Sequence, residues 1–358
     1  MFEMRRVCTT RQRVQTRAAL GCLLGILLGF AAVAAGQTTV VFDADPSSSA
    51  TQPESINAAG VVTGLYLDAT FKTRGFVRDR RGNTVPFDAH PDATHTQAEN
   101  INNAGVVTGF FRDATSKVRG FVRDRHGDTV QFDADSAATL TFPESINDAA
   151  AVTGWFFDGS QGGKQRGFVR DRNGNVILFD ADPAAARTEP KSINAAGAVT
   201  GALEDSNQAS KERGFLREPG GNTALFDADS AATRTEPECI NNAGAITGWF
   251  FDGNQSGKQR GFIRDPDGNT ILFDAEPTAI LTFPQSINAA GVVAGWFFDA
   301  TFKTRAFVRH PDGHTIVFDA DPAADGTIAV SINAAGVVTG SLEDEAQDKE
   351  RGFVRYPN

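Results

Sequence analysis

The sequence has 358 residues, of which 41% are hydrophobic, and its 44 acidic and 34 basic residues give a net charge of -10. An acidic chain repels phosphate backbones and anionic lipid headgroups, so this composition excludes nucleic acid and anionic membrane surfaces as partners. Two of the three cysteines, Cys8 and Cys22, lie in the first 36 residues. A chain cleaved after that segment keeps only Cys239 and forms no internal disulfide.

The first 36 residues have the pattern of an export signal. Five arginines between positions 5 and 17 precede an apolar stretch from Ala18 to Ala35, which ends in the small residues Ala32-Val33-Ala34. We predict cleavage near Gln37, a mature net charge near -14 and a location outside the cell or in the cell envelope. After cleavage no membrane insertion is expected. An uncleaved membrane anchor is the alternative, since 18 apolar residues are at the short end of what spans a bilayer.

One sequence unit then occurs seven times. It is close to SINAAGVVTGWFFDG, followed by a polar loop, RGFVRDRNGNT and an apolar strand ending in FDADPAA. The Asn of its S-I-N element recurs every 45 to 47 residues, at Asn57, Asn102, Asn147, Asn194, Asn241, Asn288 and Asn333. This period is typical of one four-stranded β-propeller blade, so the sequence predicts an all-β fold.

Each unit contains four strand signals separated by turn residues. In the first unit a short strand ends in Ser-Ile-Asn and is followed by strands at Val61–Gly64, Arg74–Arg78 and Val85–Ala89. Short turns between them predict antiparallel neighbours. Pro86, which has no N–H to donate, suits an edge position in the fourth strand. A crossover of about ten residues leads to the next unit, as a propeller requires.

The two ends of the chain complement each other. The seventh unit stops after its third strand, Arg351–Arg355, while Thr39–Asp43 has the sequence of a spare fourth strand. Pairing them removes an exposed sheet edge. We therefore predict a signal peptide at residues 1–36 and, at 37–358, a seven-bladed β-propeller of four-stranded blades closed by the N-terminal strand. An open β-solenoid is the alternative, although its repeats are usually shorter and need no such complementary ends.

The order I-N-x-x-G-x-V-x-G, a polar loop, a G-F or A-F strand and G-N-T also resembles the bacterial extracellular repeat family named for its His-Ala-Phe (HAF) signature. The resemblance covers the whole mature chain. Arg-Gly or Arg-Ala, as at Ala306-Phe307, replaces the family's His-Ala, and Phe-Asp-Ala-Asp replaces its usual Leu-Gly. The resemblance implies export and a repeat β-fold, and it brings no catalytic residues to transfer.

The second strands separate core positions from candidate surface positions. One face ends in residues that are apolar in every unit: Tyr66, Phe111, Phe156, Leu203, Phe250, Phe297 and Leu342. On the opposite face, all three tryptophans occupy one position, Trp155, Trp249 and Trp296, with Phe157, Phe251 and Phe298 two residues further on. These six are the candidate residues of a ligand-binding platform for an unidentified glycan or protein. The other interpretation, which we favour for the tryptophans, is that Trp fills wide gaps between blades.

Acidic and basic residues recur with the units as well. An Asp ends each fourth strand, and an Arg begins each third strand. We interpret them as ion pairs and turn caps, which leaves no cofactor requirement. Calcium bound by the paired carboxylates is the alternative, because hard oxygen ligands are present. The Asp residues are Asp43, Asp88, Asp133, Asp180, Asp227, Asp274 and Asp319, and the Arg residues are Arg74, Arg119, Arg166, Arg213, Arg260, Arg305 and Arg351.

Catalytic constellations are sparse. Cys239 takes a slot that holds Ser or Asn in the other units, and His310 with His314 is the one pair whose spacing suggests a metal. We therefore predict an exported, noncatalytic binding or scaffold module. The alternative is an extracellular polysaccharide hydrolase or lyase that uses carboxylates, with the tryptophans as subsites. Its candidate carboxylates are Glu204, Asp205, Glu343 and Asp344.

Overall fold

Almost all regular structure in the described part of the chain is β-strand. The computed structural model describes residues 38–208, 211–255 and 257–357, so the predicted signal segment lies outside the described residues. These residues form 28 strands and three single-turn 3-10 helices, at Gly159–Gln161, Ser206–Gln208 and Gly253–Gln255. None of the helices in this part of the chain has the length and apolar character needed to cross a bilayer. The all-β prediction is confirmed.

The strands follow the sequence repeats, which are numbered 1 to 7 from here on. The first strand of the chain is β1 (Thr39–Phe42). Repeat 1 contains β2 (Ala50–Ile56), β3 (Val62–Leu67), β4 (Thr73–Arg78) and β5 (Thr84–Phe87). Repeat 2 contains β6 (His95–Ile101), β7 (Val107–Arg112), β8 (Val118–Arg123) and β9 (Thr129–Phe132). Repeat 3 contains β10 (Ala138–Ile146), β11 (Val152–Asp158), β12 (Lys164–Arg170) and β13 (Val176–Phe179).

The later repeats have the same plan. Repeat 4 contains β14 (Ala185–Ile193), β15 (Val199–Asp205), β16 (Lys211–Arg217) and β17 (Thr223–Phe226). Repeat 5 contains β18 (Ala232–Ile240), β19 (Ile246–Asp252), β20 (Lys258–Arg264) and β21 (Thr270–Phe273). Repeat 6 contains β22 (Leu281–Ile287), β23 (Val293–Phe298), β24 (Thr304–Arg309) and β25 (Thr315–Phe318). Repeat 7 contains β26 (Gly326–Ile332), β27 (Val338–Asp344) and β28 (Lys349–Arg355).

Successive strands of a repeat pair in antiparallel order, first with second, second with third and third with fourth. This is the pairing that the short turns predict. Repeat 7 has three strands of its own, and β1 pairs antiparallel with β28, so that Thr39 lies opposite Arg355 and Phe42 opposite Gly352. The first and last strands of the described chain are therefore neighbours.

A β-bulge interrupts the first strand of every repeat, and the Gly of the VVTG element makes room for it. A Cβ on Gly64 would lie 2.1 Å from the carbonyl oxygen of Gln52, so only Gly fits beside the bulged strand. The inserted residue is Glu54, Glu99, Glu144, Lys191, Glu238, Gln285 or Val330. The bulge thereby sets the direction of a side chain that varies from repeat to repeat.

The core lies between neighbouring repeats. The Phe of each third strand packs edge to face on the Phe that ends the fourth strand of the preceding repeat, as Phe121 does on Phe87 at 5.9 Å between ring centroids. The second Arg of the third strand covers the same ring, with the Arg123 guanidinium 4.6 Å from the Phe87 centroid. The apolar second-strand face predicted for the core is buried in all seven repeats.

Hydrogen bonds between the S-I-N asparagines join the repeats. The Asn57 side chain donates from Nδ2 to the backbone carbonyl of Asn102 at 3.0 Å, and Asn102 donates to that of Asn147. The series continues through every repeat, and Asn333 of repeat 7 donates to the carbonyl of Asn57 at 3.0 Å. Each side-chain oxygen also accepts backbone N–H groups of its own turn, as Asn102 does from Ala104 and Val106. The buried amides are thus used for both local turns and contacts between repeats.

The ion pairs predicted between third and fourth strands are present. Arg74 binds Asp88 at 2.9 Å, and Lys72 binds the same carboxylate at 2.9 Å. The second acidic residue serves the crossover, since Asp45 accepts the backbone N–H of Ser47 at 2.8 Å. Equivalent Arg pairs are Arg119–Asp133, Arg166–Asp180, Arg213–Asp227, Arg260–Asp274, Arg305–Asp319 and Arg351–Asp43.

Candidate functional site

Each predicted tryptophan faces a residue of the first strand in its own repeat. Trp155 lies opposite Phe142, Trp249 opposite Glu236 and Trp296 opposite Phe283. Directly opposed residues of an antiparallel pair share a face, as do residues two apart along a strand. The structure accordingly places each Trp in contact with the Phe two residues further along its strand. The ring centroids are 5.6 Å apart for Trp155–Phe157, 5.4 Å for Trp249–Phe251 and 5.5 Å for Trp296–Phe298.

Trp155 is packed into the protein. Its side chain is 7% exposed and stacks on Phe142 with 4.2 Å between ring centroids. The indole N–H donates to the Glu144 carboxylate at 2.9 Å, so the bulged residue satisfies the polar edge of the ring. Phe110 of repeat 2 closes the other side of Phe142 at 5.0 Å. These contacts are those expected of a Trp155 side chain that fills a gap between repeats.

Trp249 and Trp296 keep part of their surface accessible. Phe283 lies between them, stacked on Trp296 at 3.9 Å and edge-on to Trp249 at 6.2 Å between ring centroids. With Phe251 and Phe298 they form a continuous aromatic strip across repeats 5 and 6. The aromatic strip is defined here as Trp249, Phe251, Phe283, Trp296 and Phe298.

Charged residues of repeats 4 and 5 meet this strip. Arg187 binds Glu189 at 2.9 Å and also contacts Glu212, and Arg234 binds Glu236 at 2.7 Å and also contacts Glu212. The ionic network is defined as Arg187, Glu189, Lys191, Glu212, Arg234 and Glu236, with Lys191 bound to Glu189. The Arg234 guanidinium lies 5.0 Å from the Trp249 ring centroid, so the ionic network contacts the aromatic strip at Trp249.

Glu236 is a buried acid of the network. Burial raises the pKa of its carboxyl from 4.5 to about 7, because a desolvated carboxylate is unfavourable. The Arg234 charge opposes the shift, whereas the neighbouring carboxylates Glu189 and Glu212 add to it. Between pH 4.5 and about 7, the folded state therefore binds more protons than the unfolded state. The free energy of unfolding accordingly falls as the pH rises through about 7.

Replacing Glu236 with Gln is expected to raise the free energy of unfolding at pH 8 by roughly 2–3 kcal/mol, because Gln removes the buried charge. The gain should shrink toward zero as the pH approaches the unfolded pKa of 4.5. Urea unfolding between pH 4.5 and 8 measures this difference, with Glu218→Gln on an exposed hairpin as the control. A gain that is independent of pH would contradict the shifted pKa.

Gln259 adds a buried donor beside the aromatic strip. It lies opposite Phe251 and therefore on the same face as Trp249. Its side chain is 4% exposed, and the amide nitrogen has no hydrogen-bond partner among the described residues. A buried donor without an acceptor is costly, so Gln259 contributes an unfavourable term at this position.

Repeat 7 has neither aromatic nor basic residues at these positions. Ser341 takes the place of Trp, and a small cavity lies beside it, lined by Thr304, Gly326, Ile328 and Glu350 among others. Glu350 accepts from the side-chain amide of Gln52 at 2.6 Å, and burial raises the pKa of its carboxyl. The Trp position thus holds an aromatic residue in repeats 2, 3, 5 and 6, a leucine in repeat 1, Ala202 in repeat 4 and Ser341 in repeat 7.

The carboxylates nominated for catalysis make local contacts. Asp205 binds Arg213 at 3.5 Å and accepts from the backbone N–H of Asn207 at 2.9 Å. Asp344 accepts from Gln347 in its own loop. Glu204 and Glu343 belong to repeats 4 and 7, which are three repeats apart along the chain. The carboxylates that do meet across repeats are Glu212 and Glu236, and Arg234 joins them.

Cys239 occupies a hydrogen-bonding slot between repeats. In the other repeats a hydroxyl or amide oxygen there accepts the Ile N–H of the next repeat, as Ser192 does from Ile240 at 3.2 Å. The Cys239 sulfur instead lies 4.0 Å from the Ile287 carbonyl, and burial raises the pKa of the thiol. A high pKa disfavours the nucleophilic thiolate, in agreement with a place-holder role.

The predicted histidine pair lies in an exposed hairpin, with 6.2 Å between the His310 and His314 ring centroids. Across the described ranges, no group of three or more His, Cys, Asp or Glu residues is arranged to hold a metal ion.

The sequence did not lead us to the ionic network. Its signal is the R-T-E-P element, which occurs at Arg187–Pro190 and Arg234–Pro237 and in no other repeat. Because Glu212 of repeat 4 also contacts Arg234 of repeat 5, the connection between the two elements cannot be seen within one unit.

No family model matches the chain, and no curated protein matches it. Among solved structures, it is similar to a streptogramin B lyase, with a TM-score of 0.54, 15% identity and coverage of 88% of this chain and 97% of that one. It is also similar to virginiamycin B lyase from Staphylococcus aureus, with a TM-score of 0.56, 13% identity and coverage of 90% and 99%. A puromycin hydrolase matches with a TM-score of 0.54, 13% identity and coverage of 85% of this chain and 54% of that one. At such identities the similarity shows the fold alone, which is that of β-propeller proteins.

Proposed function

We propose that the chain is an exported, noncatalytic propeller of seven four-stranded blades, closed by β1, that binds a glycan. The β1–β28 pairing and the asparagine series that returns from Asn333 to Asn57 support the closed ring. The export pattern of the first 36 residues supports a secreted or envelope location, and the order of motifs supports membership in the HAF repeat family. The proposal requires no cofactor.

The observation that carries the binding role is the aromatic strip beside polar groups in repeats 5 and 6. Sugar rings present apolar C–H faces and hydroxyl edges, which suit a partly exposed indole beside a charged group. Trp249 and Trp296 provide partly exposed aromatic rings, and the Arg234 guanidinium provides a charged group 5.0 Å from the Trp249 ring centroid. A protein segment is the alternative ligand for the same surface.

Glycan-array binding of the purified protein tests this function. We expect a defined set of glycans to bind and Trp249→Ala and Trp296→Ala to weaken binding about tenfold or more, as expected for a central contact. Ile271→Ala is the matched control, because it removes a 53%-exposed apolar residue from the outer strand of repeat 5. The bound oligosaccharide should be recovered uncleaved. Absence of glycan binding, or equal binding by the Trp variants, would refute the proposal.

A further inference from the structure

Two phenylalanines project into solvent from equivalent loops. Phe71 is 77% exposed and Phe302 is 65% exposed, and they are the most exposed large hydrophobic residues in the part of the chain that the structure describes. Each lies in the sequence D-A-T-F-K-T-R, in the loop between the second and third strands of repeats 1 and 6. Neither ring contributes to the packed core.

Both residues also adopt a backbone conformation that disfavours a bulky side chain. The φ angle is 63° at Phe71 and 65° at Phe302, in the left-handed region. Repeat 2 has Ser116 at the same place, with a φ of 68°, in the sequence D-A-T-S-K. An aromatic residue here costs conformational energy and buries nothing within the fold, which points to a use outside the fold.

The two loops emerge on one face and flank an acidic loop. Repeat 7 lies between repeats 6 and 1, because β26 packs against β24 and β2 packs against β28. Its loop between the second and third strands contains the exposed Glu345 and Asp348, and the exposed Asp325 caps that loop by accepting the Glu345 N–H. These loops lie at the same end of the repeats as the crossovers between repeats. Backbone hydrogen bonds, such as that from Ser49 N–H to Leu67 C=O, join a crossover to the end of a second strand.

Asp325, Glu345 and Asp348 make the middle of this surface, between the two phenylalanines, negatively charged. None of Asp325, Glu345 and Asp348 makes an ion pair with another described residue. The lysines next to the phenylalanines do not offset this charge, since Lys72 binds Asp88 at 2.9 Å and Lys303 binds Asp319 at 3.4 Å. A complementary partner therefore carries positive charge between two apolar anchor points.

We propose that Phe71, Phe302 and the acidic loop of repeat 7 form a docking surface for a cationic, amphipathic polypeptide segment. The exposed rings act as the apolar anchors and the carboxylates select the charge. Anionic membrane surfaces do not fit, because the carboxylates would face like charge. This surface uses none of the residues of the aromatic strip, so the proposal does not depend on the proposed glycan site.

A synthetic peptide of about 12 residues with alternating Leu and Lys serves as the probe. We expect it to bind, with an affinity that falls as salt increases, while a Leu-Glu peptide and a Ser-Lys peptide bind at least about tenfold more weakly. Replacing both phenylalanines, F71S with F302S, should weaken binding about tenfold or more, since it installs the residue found in repeat 2. Replacing Asp325, Glu345 and Asp348 with their amides should weaken binding and remove its salt dependence.

The matched control is V85S with V130S, which removes two apolar residues that are 54% and 56% exposed on outer strands. It should leave peptide binding unchanged, and all variants should keep their melting temperatures within about 2 °C, as surface substitutions do.

Equal binding by the phenylalanine variant and the parent protein would overturn the proposal. So would equal weakening in the control, or phenylalanine-dependent binding to vesicles of phosphatidylcholine and phosphatidylglycerol. Glycan binding should be unaffected by F71S with F302S, which separates this result from a failure of the glycan site. The single variants F71S and F302S provide the same test if the double variant does not fold.

Discussion

Replacing Phe42 with Ala is expected to lower the free energy of unfolding by about 3–5 kcal/mol, the usual effect of removing a buried Phe. Phe42 lies on β1 near the N-terminal end of the described chain, yet it is 6% exposed. It packs on Phe76 of repeat 1 at 6.1 Å between ring centroids, and the Arg78 guanidinium covers it at 4.3 Å. Chemical denaturation measures the loss.

Phe226→Ala in repeat 4 is the matched control for this prediction. Phe226 ends a fourth strand that is continuous with its own repeat, and it packs on Phe262 at 6.2 Å and beneath Arg264 at 4.8 Å. If β1 completes repeat 7, the two substitutions remove equivalent contacts and should cost about the same. A loss below about 1 kcal/mol for Phe42 alone would show that β1 is not part of the sheet in solution.

The second large effect is expected at Trp155, where replacement by Ala should cost about 3–5 kcal/mol through the cavity left beneath Phe110 and Phe142. Trp249→Ala and Trp296→Ala should cost less, because both side chains are only partly buried. Urea unfolding of the three variants measures the ranking. Equal, large losses in all three would assign every Trp to packing and would remove the basis for a binding strip.

The repeated residues made the fold predictable. Phe87, Phe121 and Arg123 recur with their equivalents in every repeat, so a pattern of alternation and short turns specifies strand order and the buried face. The ion pair of Arg74 with Asp88 was also predictable, because both residues are present in all seven units. Residues that every repeat shares therefore indicate the fold, since they make the same contacts in each repeat.

The candidate site was less predictable, because it depends on residues that differ between repeats. Trp155 and Trp249 occupy one sequence position, but Phe142 lies opposite the first and Glu236 opposite the second, and only Trp155 is buried. The bulge that directs Glu144 toward Trp155 is a property of paired strands and leaves no periodicity of its own in the sequence. The pKa of Glu236 is raised by burial, and the carboxylates that add to the shift, Glu189 and Glu212, belong to the neighbouring repeat.

Hydrogen exchange of the β1 backbone tests the closed ring most directly. In the proposed ring β1 is the fourth strand of repeat 7, as β17 is of repeat 4, and the two have the same pairing to a third strand. We expect mass spectrometry to show that peptides covering residues 39–42 and 223–226 exchange at similar, protected rates under native conditions. Rapid exchange of residues 39–42 together with protection of residues 223–226 would contradict closure by the N-terminal strand.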